Sequence, residues 1–188
     1  MSGKSSKRSL RSTLWKALSL DANFYENTRS TFITRRLART IVILAAVSHA
    51  LGSAVILLIN RANLPSLVIA LLLDGMSVVG GYYFWTLTIS KIGQWFKPNH
   101  VTYRELLIPI GFAYAPQVLN FLTLIPLLGR PIERVLALWS LLTIIVAVRQ
   151  GLDISTTWAA LICLVGWTLI QLAIALVQVY EQQLVRYI

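Results

Sequence analysis

Residues 40–59 read TIVILAAVSHALGSAVILLI, twenty consecutive positions without a formal charge. At 1.5 Å per residue a helix of this length covers about 30 Å, the hydrocarbon thickness of a bilayer. The stretch therefore reads as a transmembrane helix, and it sets the scale for what lies on either side. Downstream, 65–90 repeats the pattern with Asp74 as its one charge and Pro65 at a helix start, where a missing N–H is tolerated. Residues 105–128 form a third run interrupted by Pro109, Pro116 and Pro126, so that helix must bend while neighbours or water satisfy the freed carbonyls. A short fourth run, 131–148, opens on Glu133 and Arg134, and a fifth covers 155–180. Connections this brief make sequence neighbours pack as antiparallel hairpins. The expected fold class is all-α: a polytopic bundle of five transmembrane helices over 40–180, preceded by a basic, partly amphipathic cytoplasmic leader, 1–39, and followed by a short tail, 181–188, on the opposite side.

Composition agrees. Of 188 residues, 56% are hydrophobic and 13% charged. Soluble domains carry about 25% charged residues, which excludes an ordinary soluble enzyme, a disordered chain and a repeat array. A net charge of +10 would alone suit a nucleic-acid binder. However, nine of the seventeen basic residues precede residue 40, opposed there only by Asp21 and Glu26. That placement is an orientation and anionic-lipid signal, with no nucleic acid implied. With the N terminus in the cytoplasm, thirteen Lys and Arg fall on the inner side and four on the outer, so the expected orientation is N inside and C outside. The apolar region starts too late for a cleaved signal peptide, and the single cysteine, Cys163, forbids an intrachain disulfide.

Within the leader, 1–9 reads as a solvated tail, whereas Leu10, Leu14, Ala17 and Leu18 recur at helical spacing among Arg8, Arg11 and Lys16. Together with Arg35, Arg36 and Arg39 these cations are the expected lipid-surface residues. Ile92, Trp95 and Phe96 make 91–100 a second segment hugging the inner interface. Tyr82, Tyr83, Trp85, Trp95, Trp158 and Tyr180 read as interfacial anchors.

The stretches LSLDANFYENTRSTFITRRLA (18–38), FWTLTISKIGQWFKPNHVTYRELL (84–107) and GFAYAPQVLNFLTLIPLLG (111–129) resemble the Yip-type family of Ypt/Rab-interacting five-span membrane proteins, in particular its bacterial branch. The most specific piece is Gly111, Tyr114 and Pro116 within GFAYAP. The resemblance implies five helices, a cytoplasmic N terminus, a short opposite C terminus and no known catalysis. The longer N-terminal region through which eukaryotic members engage small GTPases has no counterpart in this leader, so GTPase binding is not carried over.

Asp74 is the one charge near mid-span, where a carboxylate costs about 2.5–3.5 kcal/mol on insertion scales. Folding the first two spans about the turn near Ala62 brings His49 level with Asp74. Both lie on small-residue faces, Ala45, His49 and Gly52 on one helix and Asp74, Ser77 and Gly81 on the other. The plain reading of the pair is a clasp fixing hairpin register. The sharper ones are a proton relay, or His49 as ligand to a metal or tetrapyrrole. A second polar set is Tyr114, Gln117, Asn120 and Thr123, spiralling beside the proline bend; a third is Thr168, Gln171, Gln178 and Gln182 on one side of the fifth span. Facing each other, these would line a polar groove, or else bond neighbouring helices.

There is no GxSxG, HExxH, phosphate loop or cysteine pair, and no catalytic residue, metal or cofactor is expected. The reading is a non-enzymatic membrane scaffold or accessory subunit that binds anionic headgroups and other integral membrane proteins or itself, in complex assembly or membrane organisation. The alternative is a small permease or lipid-handling protein using the intramembrane polar residues. A third reading is a cofactor-carrying subunit of an energy-converting complex with His49 as ligand.

Overall fold

The computed structural model describes residues 9–27, 31–59, 61, 63–96, 102–125, 127–166 and 168. These are helical throughout, without strands: α1 (Leu10–Leu18), α2 (Ala22–Glu26), α3 (Phe32–Ile59), α4 (Leu64–Phe96), α5 (Tyr103–Ala113), a 3₁₀ segment (Ala115–Leu124), α6 (Gly129–Leu152) and α7 (Thr156–Gly166). Four helical stretches are long and apolar enough to cross a membrane: Phe32–Val55, Leu67–Gln94, Tyr103–Leu124 and Gly129–Leu152. The chain is a multi-pass membrane protein. Of the fifth expected run, α7 is the described part; the rest lies outside the described residues.

Local sequence accounts for the boundaries. Helix α3 begins eight positions before the charge-free run because Thr31 and Thr34 cap it reciprocally: the Thr34 amide donates to Thr31 Oγ1 at 3.3 Å and the Thr31 amide to Thr34 Oγ1 at 3.0 Å. Arg35, Arg36 and Arg39 consequently ride on the spanning helix itself. At α5, the Thr102 amide donates to Glu105 Oε2 at 3.3 Å, so this glutamate serves as a helix cap. Helix α4 runs without a break to Phe96, so 91–96 is a continuation of the second helix and not a separate one, while 97–100 lie outside the described residues. Of the expected anchors, Tyr82 and Trp85 are buried against neighbouring helices, Trp85 beneath Gly166 of α7, while Tyr83 and Trp158 stay exposed.

The third span bends as its prolines require. Helix α5 ends at Ala113 and the chain continues as ten residues of 3₁₀ helix with Pro116 near its start, far longer than the usual one-turn 3₁₀ segment. Pro116 has no amide to return to the Ala113 carbonyl; the Thr143 hydroxyl of α6 stands 3.0 Å from it. Eleven α-helical residues at 1.5 Å and ten 3₁₀ residues at 2.0 Å give about 36 Å. The broken helix therefore still spans.

Interhelical contacts set the directions. Ala38 of α3 abuts Gly111 of α5, and further along Ser48 bonds Phe121 and Gly52 faces Thr123, so α3 and the third span run parallel. Tyr82 of α4 donates to the Leu107 carbonyl at 2.6 Å, and Leu106 packs on Gly151 of α6, placing α4 and α6 antiparallel to them. The dense core lies at the end carrying Arg35, Arg39, Arg104 and Arg149, around Ile41, Ile89, Leu106, Ile110, Phe112 and Val148. Toward the α3–α4 turn, apolar side chains such as Leu51, Leu58, Leu72 and Leu73 face outward, as lipid-facing residues do.

Helix α1 leans on this core. Thr13 and Ala17 are buried, Leu10, Leu14 and Leu18 pack partly against the bundle, and Trp139 of α6 donates its indole N–H to the Leu18 carbonyl at 3.0 Å. The leucine stripe expected on a lipid surface is thus half engaged by protein. Its other flank opens into an apolar trough of about 700 Å³ beside Trp15. Phe24 of α2 stacks on Phe112 at 5.2 Å between ring centres. Arg11 and Lys16 are exposed, and Arg8 lies outside the described residues.

Candidate functional site

Twenty-five residues separate His49 from Asp74, and the hairpin brings them together: His49 Nδ1 stands 2.9 Å from Asp74 Oδ2. Ser53, one helical turn beyond His49 on the same face, donates to the same carboxylate oxygen at 2.8 Å. Ser77 turns its hydroxyl back onto the Asp74 carbonyl at 2.7 Å. The two ring and carboxylate side chains keep 41% and 21% of their surface exposed, so the pair is a wall of the α3–α4 seam rather than a sealed core contact. Ser53 escaped the sequence reading. The signal was present, since positions 49 and 53 are i, i+4 neighbours on one helix face.

Chemically, the contact accommodates a carboxylate receiving the imidazole N–H, or a carboxyl group giving its proton to Nδ1. Either arrangement satisfies Asp74 without any Lys or Arg, which explains how a lone carboxyl group resides in an apolar helix. His49 Nε2 is left for a further partner. Among the described residues no group of three His, Cys, Asp or Glu converges as a metal site, and Cys163 is buried on α7.

On the next turn toward the third span, Ser48 accepts the Phe121 amide at 2.8 Å, an interhelical bond to an amide near the far end of the 3₁₀ segment. Tyr114, Gln117, Asn120 and Thr123 are spaced by three. On an α-helix that spacing spirals, but at three residues per turn it makes a straight row. Tyr114 is buried edge-on to Tyr82 at 5.6 Å, Gln117 and Asn120 are half-buried, and Thr123 caps the Asn120 carbonyl while facing Gly52. At these two ends the row meets α4 and α3. Its expected counterparts Gln171, Gln178 and Gln182 lie outside the described residues. Thr168, the remaining member, returns its hydroxyl to the Leu164 carbonyl.

The expected lipid-surface cations separate into two places. Arg11 and Lys16 flank α1. Arg35 and Arg39, one turn apart on α3, line a cavity with Arg104 of α5. Arg36 is exposed and does not line that cavity. No protein-family model, curated protein or solved structure matches this chain.

Proposed function

We propose that this chain is a non-enzymatic five-span membrane scaffold or accessory subunit of the Yip type, with its basic end and N terminus in the cytoplasm, the fifth crossing being the run that α7 begins. The observation that carries the reading is the outward face of α4. Leu73, Ser77, Gly81 and Phe84 are exposed, and no described residue lies within 4 Å of where a Cβ at Gly81 would stand. An exposed helical glycine costs about 1 kcal/mol relative to alanine. Ser77 and Gly81 form the small-xxx-small spacing that lets two helix backbones approach in lipid. Lipid alone has no use for such a notch; a neighbouring transmembrane helix does. Anionic headgroups meet Arg11, Lys16 and the arginines of α3 at the other end.

A photo-crosslinking residue at Phe84, followed by purification in mild detergent and mass spectrometry, tests this. A discrete protein adduct, to another membrane protein or a second copy, that Gly81→Leu abolishes is the expected result. Adducts to lipid alone, from a protein that purifies as a lone monomer, overturn it. The second reading, a small permease, draws on the straight polar row and the half-open His49–Asp74 pair. It requires solute flux in reconstituted vesicles that Gln117→Ala or Asp74→Asn abolishes without loss of folding.

A further inference from the structure

The seam between α3 and α4 changes character along its length. At the basic end, Arg35, Arg39, Tyr82, Tyr83 and Arg104 line a cavity of about 310 Å³ whose lining contains no carboxylate. Neither Arg39 nor Arg104 forms an ion pair with a described acidic group, and the nearby Glu105 is committed to capping α5. Positive charge concentrated in this way, with a phenol at its rim, is chemistry that selects a phosphate oxyanion.

Immediately along the same two helices the lining becomes apolar. Ile43, Ala46, Val47, Gly75, Met76 and Gly80 bound a trough of about 540 Å³, and Tyr83 lines both compartments. Gly75 and Gly80 leave its floor clear, with no described residue within 4 Å of where their Cβ atoms would stand. On α3 the trough runs from Ile43 to Ala50, about 10 Å, and on α4 from Leu71 to Tyr83, about 18 Å. Half of a 30 Å hydrocarbon core is about 15 Å. A charged pocket leading into an apolar channel one leaflet deep matches a molecule with an anionic head and a single-leaflet tail.

We infer that this seam is a discrete binding site for one anionic phospholipid, its phosphodiester held by Arg39 and Arg104 and one acyl chain laid along the Gly75–Gly80 trough. The inference rests on the proposal that the basic end faces headgroups, and it differs from general attraction in demanding one lipid at one place. The site lies on the α3 side of α4, and the Ser77–Gly81 notch on the other flank, so both are able to be filled at once.

The test is native mass spectrometry of the full chain in detergent, titrated with phosphatidylglycerol, with phosphatidylcholine of the same acyl chains, or with inorganic phosphate. Retention of one phosphatidylglycerol per chain, with neither of the other ligands held, is expected. The double variant Arg39→Gln, Arg104→Gln removes two surface charges, and retention should weaken about thirtyfold (about 2 kcal/mol). Gly80→Leu should displace the acyl chain while leaving the basic cavity intact. All three positions are exposed, and thermal unfolding followed by tryptophan fluorescence verifies that the variants fold. If phosphatidylglycerol is retained equally by every variant but lost in Arg11→Gln, Lys16→Gln, the seam site is wrong and the headgroup-facing end survives. Retention of phosphatidylglycerol no better than phosphatidylcholine overturns both. Equal binding of inorganic phosphate would make the site a free-anion pocket and remove the lipid from it.

Discussion

Asp74 offers the sharpest perturbation, because one carboxylate oxygen receives both the Ser53 hydroxyl, at 2.8 Å, and the His49 ring, at 2.9 Å. Hydrogen bonds between helices in a bilayer contribute about 0.6 kcal/mol on average and about 1.7 at most, since the separated helices also find partners in the membrane. Two bonds of good length therefore place the cost of Asp74→Ala at about 1–2 kcal/mol of bundle stability. Asp74→Asn keeps an acceptor for Ser53 and for an imidazole N–H and should lie within about 0.5 kcal/mol of the natural chain. The assay is reversible unfolding in mixed micelles by increasing sodium dodecyl sulfate, run on the four corners of a His49→Ala, Asp74→Ala cycle. A coupling of about 0.6–1.7 kcal/mol is expected from direct contact. Strict additivity of the two single losses would refute the clasp, since residues that bond each other cannot be removed independently.

Other predictions follow from packing. Gly111→Ala places a Cβ 3.0 Å from Ala38 Cβ and 3.4 Å from its carbonyl, and should cost about 1–3 kcal/mol in the same unfolding assay, whereas Gly75→Ala, with no described residue within 4 Å of its new Cβ, should cost nothing and gain up to about 1 kcal/mol. Thr143→Val removes a hydroxyl that its own helix's Ser140 carbonyl, at 2.8 Å, shares with the Ala113 carbonyl orphaned by Pro116, at 3.0 Å; a loss of about 1–2 kcal/mol is expected, with faster hydrogen exchange confined to the 3₁₀ segment. Burial raises the Tyr25 phenol above its ordinary value. The released chain therefore gives up this proton at lower pH than the folded one, and the docking of α2 is at full strength below about pH 10 and weakens as pH rises beyond it. Limited proteolysis of the leader should accelerate there, and Tyr25→Phe should remove that acceleration.

Hydropathy alone located the helices, because every spanning stretch is a long charge-poor run bounded by charge or proline. The His49–Asp74 contact was legible for a similar reason: once two adjacent helices must fold back through a short turn, residues equidistant from it meet. What escaped lay in finer local chemistry. The Thr31–Thr34 cap carries α3 past its apolar run and moves three arginines onto a spanning helix, and packing of α7 on α4 buries Trp85 beneath Gly166. The left-handed backbone at Leu20, Arg61, Leu127 and Asp153 falls on non-glycine residues, so no glycine marked those positions. The polar row beside Pro116 was visible as spacing. Its straightness was not, because that depends on a 3₁₀ geometry that only packing against α3 and α6 maintains. The cavity joining Arg104 to Arg35 and Arg39 brings together residues 65 or more positions apart, beyond what periodicity within one helix reveals.

The central claim, an odd number of crossings with the basic end in the cytoplasm, is tested most directly by reporters fused in turn to residue 1 and residue 188, each read by protease or alkylating reagent from either side of intact membranes. The account predicts opposite faces, with residue 1 protected from the exterior. Both reporters on one face would mean an even count, and the fifth crossing that α7 is proposed to begin would not exist.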